Sequence, residues 1–124
     1  MIEESYVSSD TARMLKEAGF HIPCIKVYNK HSKKLDAWSY PADSNQHTRY
    51  YSAPTQALAA RWLREVYNVA IYSLYDDDME QWFYVVDAFT KNPVINVFQS
   101  GSEYDDYESA FEDGLREAIK LITK

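Results

Sequence analysis

The sequence predicts an α+β domain in the order αββαβββα, an antiparallel sheet with helices packed on one face. Three observations carry that reading. Three stretches repeat apolar residues at helical spacing, each with a start or stop signal. Five others alternate at period two or are dense in β-branched and aromatic residues. At 124 residues, 46% hydrophobic and 26% charged, the chain has an ordinary globular composition and the length for one core. A single domain over residues 1–124 is expected.

The first helix spans about ten residues from Ser8 or Ser9, whose hydroxyl can accept from a free backbone N–H while Asp10 meets the positive end of the helix dipole. Met14, Leu15 and Ala18 form its apolar stripe, and Gly19 supplies a left-handed stop with Phe20 folding back on Leu15. Cys24–Tyr28 and Leu35–Tyr40 alternate and flank the polar turn Asn29–Lys33, a first hairpin. From Pro41 to Tyr51 the chain is polar and reads as a surface loop.

Ser52 or Thr55 caps the second helix, whose Leu58, Ala59, Trp62, Leu63 and Val66 lie on one broad face. Asn68 is its left-handed stop. Strands over 69–75 and 81–89 flank the acidic turn Asp76–Glu80, Asn92-Pro93 turns the chain, and 94–98 completes a meander. The last helix starts at Asp105, with Glu108 three residues on as in a capping box. It turns Ala110, Phe111, Gly114, Leu115, Ala118, Leu121 and Ile122 inward, with Glu112 and Arg116 one turn apart on the wet face. Glycine costs about 1 kcal/mol in a helix interior, so Gly114 implies a close approach to the sheet or to the second helix.

No apolar run approaches the roughly 18–20 residues that span a bilayer. The start, Met1-Ile2-Glu3-Glu4, has neither a basic n-region nor an apolar h-region, and the single cysteine makes no internal disulfide. A cytoplasmic chain without membrane partners is the expectation. Charge is split: residues 1–62 carry eight Lys and Arg against six Asp and Glu, whereas 63–124 carry five against thirteen. An acidic half repels phosphate backbones and argues against nucleic acid as its partner.

Chemistry finds little to stand on. His21 and Cys24 are the nearest approach to a nucleophile and base, but a lone cysteine opening a strand reads as a small buried hydrophobe. His21, Cys24, His31 and His47 match no metal-ligand spacing. Asp76, Asp78 and Glu80 fall at positions one, three and five of a calcium-loop count. Yet Gln81 sits where glycine is needed, Asp87 where a bidentate Glu belongs, and strands flank the loop. The three glycines stand alone, so no phosphate loop exists. No enzyme, cofactor or metal is expected.

Two stretches, Ser52–Glu65 (SAPTQALAARWLRE) and Tyr104–Ala118 (YDDYESAFEDGLREA), resemble a family of small uncharacterised proteins of Bacteroides-type gut bacteria and their phages and mobile elements. A start like Val7-Ser8-Ser9-Asp10-Thr11-Ala12 also recurs there. The resemblance covers most of the chain, rests on helix faces, and implies a phage or mobile-element accessory protein without assigning any site residue.

The aromatic surplus remains: 15% of the chain, with 11 tyrosines. Alternation puts aromatic or apolar residues on both sides of the second hairpin, although helices in a two-layer domain cover only one. The expected function is therefore non-catalytic protein binding through Tyr72, Tyr75, Trp82 and Tyr84, with the acidic loop as rim and a homodimer as one form. The alternatives are nucleic-acid binding through the basic first hairpin (Lys26, Lys30, Lys33, Lys34) and an acidic mimic of nucleic acid.

Overall fold

A computed structural model describes residues 2–89 and 94–123, of which 94–97 are described by their backbone alone. The fold is α+β, and its elements follow nearly the expected order. The strands form two three-stranded antiparallel sheets where one was expected, and the chain's contacts divide into two compact units, Met1–Ala57 and Leu58–Lys124. The turn expected at Asn92-Pro93 lies outside the described residues.

The first unit opens with α1 (Ser9–Glu17). Ser8 is its N-cap, its hydroxyl accepting from the Thr11 N–H. At the other end Gly19 adopts φ +94°, Phe20 N–H reaches Leu15 C=O at 3.0 Å and Gly19 N–H reaches Lys16 C=O at 3.1 Å. These are the paired bonds of a Schellman stop. The buried face is Thr11, Ala12 and Leu15, rotated by about one residue from the expected stripe.

The hairpin of β1 (Cys24–Asn29) and β2 (Leu35–Ala42) forms as expected. β2 runs on through Pro41, which is tolerated because β2 is an edge strand and its register with β1 is interrupted between Ala37 and Ala42. The stretch read as an irregular loop holds a short 3₁₀ turn (Ser44–Gln46) and a third strand, β3 (Tyr50–Ser52), on the other side of β1. Buried Asn45 accounts for this order: its amide donates to Phe20 C=O at 2.7 Å and its carbonyl accepts from Ser52 N–H at 2.8 Å. Lys16 Nζ adds bonds to the carbonyls of His47 and Tyr50. Val7, Leu15, Phe20, Val27 and Ala53 are buried in this unit.

The helix α2 (Gln56–Tyr67) crosses the division and stops at Asn68, which has φ +58° as expected of a left-handed stop. The second unit continues with the meander β4 (Val69–Asp76), β5 (Gln81–Phe89) and β6 (Val94–Gln99), then α3 (Tyr107–Ile122). α3 packs on β4 and β5. Its N-cap is Asp106 rather than Asp105: the Asp106 carboxylate accepts from Ser109 N–H at 2.7 Å and is held below its ordinary pKa by the bonds from Ser109. Arg116 pairs with Asp113, one turn back.

Gly114 is the contact on which this packing turns. A β-carbon there would lie 2.7 Å from Ile71 Cγ2 and 3.2 Å from Tyr84 Cβ, so the missing side chain is what lets α3 reach the sheet. Ala110, Phe111, Leu115, Ala118 and Ile119 are buried on either side of it.

Candidate functional site

The β4–β5 register fixes which side chains share a face. Ile71 opposes Val86, Ser73 opposes Tyr84 and Tyr75 opposes Trp82, so these six lie on one face. Gly114 approaches Ile71 and Tyr84, which makes it the face under α3. Tyr72 opposes Val85 and Leu74 opposes Phe83 on the other.

The four expected contact residues therefore do not form one patch. Tyr84 is a correction: it is only 5% exposed, because α3 descends on it where Gly114 carries no side chain. Burial, with the carboxylates of Glu117, Asp113 and Glu103 adding, pushes its hydroxyl up to about 12. Tyr72 sits on the opposite face. Tyr75 and Trp82 are brought together, their rings 5.2 Å apart at 62°.

What the hairpin does expose is its distal half. Tyr72, Leu74 and Tyr75 are 43%, 45% and 50% exposed, and Met79 projects from the turn. Phe83, across from Leu74, is half-buried. Neither β4 up to Tyr75 nor β5 up to Val86 contains a charged residue. Leu74 and Phe83 were visible in the alternation and gained meaning only from the register that pairs them. Tyr107 was not singled out by sequence. It opens α3 beside Asp106, is 41% exposed, and packs edge to face on Trp82 at 5.7 Å and 85°. The Ser73 hydroxyl donates to its backbone carbonyl at 3.0 Å, tying the start of α3 to β4.

Acidic groups surround this end. Asp76 Oδ1 accepts from the N–H groups of Asp78 and Met79, and Asp76 Oδ2 accepts from the Ser102 hydroxyl at 2.7 Å. These bonds hold the Asp76 carboxyl below its ordinary range. The chain past β6 also stays beside β5: Trp82 and Tyr104 exchange both backbone bonds, at 2.8 and 3.1 Å. The turn 76–80 and the segment 102–107 thus lie at the same end. Asp76, Asp77 and Asp78 bring carboxylate oxygens within 4.8 Å of one another, an arrangement the turn geometry itself explains, since Asp76 is spent on capping it.

The first unit offers two further places. Cys24 is buried, its thiol donating to Ile22 C=O, and burial with the Asp43 charge pushes it up to about 11. His21 Nδ1 contacts Asp43 Oδ2 at 3.0 Å. The thiol is thus held in its un-ionised form at neutral pH, the opposite of an activated nucleophile. Beside β2, a hollow of about 360 Å³ is lined by Trp38, Ser39, Tyr40, Ala42, Ser44 and His47. Trp38 spends its indole N–H on Ser44 Oγ at 2.7 Å and packs against Tyr50.

No protein-family profile, curated protein or solved structure matches the chain. Among the described residues no helix is long and apolar enough to cross a membrane.

Proposed function

We propose that this chain is a non-catalytic protein-binding module that receives its partner on the distal half of the β4–β5 hairpin. The observation that carries the reading is the exposure of Tyr72, Leu74 and Tyr75 on a strand with no charge before Asp76. Rigid aromatic side chains supply large contact area at low entropic cost, and they dominate binding energy at protein interfaces. A strand fixes them better than a loop would. The resemblance in the helices suits an accessory protein of a phage or mobile element, acting in the cytoplasm.

A second reading has its own support. The first hairpin carries Lys26, Lys30, Lys33 and Lys34, and the hollow beside it presents Trp38 and Tyr40, the pairing of charge and rings that single-stranded nucleic acids use. An acidic mimic of nucleic acid would use the 76–80 and 103–108 carboxylates instead.

Salt separates the three. Labelled single-stranded and duplex DNA and RNA are titrated at low and physiological salt, because phosphate contacts release counterions and weaken steeply as salt rises. The protein-binding reading expects no micromolar binding at either salt. Salt-sensitive micromolar binding that disappears in Lys30→Glu/Lys33→Glu/Lys34→Glu would overturn it in favour of the second reading. A mimic would bind a basic protein through charge alone, at low salt only.

A further inference from the structure

The rings at the hairpin end sit among exposed carboxylates, in a stretch of chain poor in cations. Between Asn68 and Leu115 the chain has eleven Asp and Glu and a single Lys or Arg, Lys91. In the second unit Arg61 pairs with Glu65, Lys120 with Glu117 and Arg116 with Asp113, whose other oxygen accepts from the Tyr104 hydroxyl at 2.7 Å. Asp77, Asp78 and Glu80 are exposed in the turn, and Glu103, Asp105 and Asp106 are exposed beside it. The Asp76–Ser102 bond and the Trp82–Tyr104 bridge hold the two acidic segments side by side.

Between them runs a row of rings: Tyr75 on Trp82, Trp82 on Tyr107, each edge to face. Half of Tyr75 and two-fifths of Tyr107 face solvent. An aromatic surface rimmed by negative charge attracts a cation twice over, through the ring quadrupoles and through the carboxylates. A planar guanidinium fits both, since it stacks on rings and forks onto carboxylates, whereas an ammonium is a compact, strongly hydrated charge. We infer that the partner presents an arginine-rich segment, with an arginine side chain seated on the Tyr75–Trp82–Tyr107 row and its neighbours facing the acidic rim. The inference rests on the protein-binding reading and names the chemistry of the partner on one face of that hairpin end, the face that carries Tyr75 and Trp82.

The test uses the full chain and a blocked nine-residue peptide alternating arginine and valine, with a control in which citrulline replaces every arginine. Citrulline keeps the size and the planar end group but carries no charge, with three N–H donors and a carbonyl acceptor in place of the five donors of arginine. Binding is followed by calorimetry and by amide chemical shifts. The arginine peptide is expected to shift resonances of the 75–82 and 102–107 segments and to bind about tenfold or more tighter than the control. Tyr75→Leu with Tyr107→Leu, which keeps apolar area but removes the rings, should weaken it several-fold, and Tyr75→Phe with Tyr107→Phe should restore it.

Equal binding of arginine and citrulline peptides at those resonances would overturn the inference while leaving the protein-binding surface standing. Arginine binding that is indifferent to both leucine substitutions, and lost only in Asp77→Asn/Asp78→Asn/Glu80→Gln, would also overturn it. That pattern is charge attraction without a seat. No shift with either peptide at millimolar concentration removes the cationic segment as the partner's chemistry.

Discussion

Gly114 and Cys24 are single residues whose behaviour follows from what touches them. A β-carbon at 114 would overlap Ile71 Cγ2 at 2.7 Å, so Gly114→Leu should lower stability by about 1–3 kcal/mol by overpacking. Gly114→Ala is the sharper case. Helix propensity favours alanine by about 1 kcal/mol, but Ile71 Cγ2 and Tyr84 Cβ are near the backbone and have little room to move. A net loss is expected in urea unfolding, and an alanine variant more stable than wild type would contradict the close approach. For Cys24, a thiol pushed up to about 11 is almost wholly protonated at pH 7. It should react with a thiol reagent far more slowly than a free cysteine until denaturant is added. Labelling at the free-thiol rate in the native state would contradict the burial of Cys24.

The two long hairpins share a turn. Asn29 Oδ1 accepts from the N–H groups two and three residues on, His31 and Ser32, and Asp76 Oδ1 does the same from Asp78 and Met79. Four residues past each capping side chain stands a non-glycine residue in the left-handed region, Lys33 at φ +58° and Glu80 at φ +55°. That backbone is where glycine is favoured, so Lys33→Gly and Glu80→Gly should each raise stability by about 0.5–1 kcal/mol. A fall in the urea midpoint for both would contradict the assignment of these turns. The elements with punctuation were legible in the sequence: the Ser8 cap, the Gly19 stop, Asn68 and both hairpins. β3 was not, because three residues are too few to show alternation and its order comes from Asn45, seven residues before Ser52. The start of α3 was misread by one because Asp105 and Asp106 are both acceptable caps. The candidate site was half legible. Alternation gave the ring-bearing strands, but which rings stay outside depended on where α3 lands, and that took Tyr84 out of the surface and brought Tyr107 in.

For the whole molecule, stability should fall on the alkaline side. Burial raises the Tyr84 hydroxyl to about 12, and burial with the bond to Asp113 raises Tyr104 further. An unfolded tyrosine titrates near 10. The folded state therefore binds more protons between those values, and the stabilising difference is lost as pH rises above about 10. Absorbance at phenolate wavelengths should show two late-titrating tyrosines whose ionisation coincides with loss of structure. Early ionisation of all 11 tyrosines without unfolding would contradict their burial.

The central claim is that partner binding belongs to the distal half of the β4–β5 hairpin, and parallel capture tests it most directly. Extract of the source cells, treated with nuclease at physiological salt, is passed over three immobilised chains whose unfolding midpoints agree: wild type, Tyr72→Ser/Leu74→Ser/Tyr75→Ser, and Lys30→Glu/Lys33→Glu/Lys34→Glu. Captured proteins are quantified by mass spectrometry. The expected result is a protein retained by wild type and by the lysine variant and lost from the hairpin variant. Retention by the hairpin variant with loss from the lysine variant would contradict the claim and move the binding surface to the first hairpin.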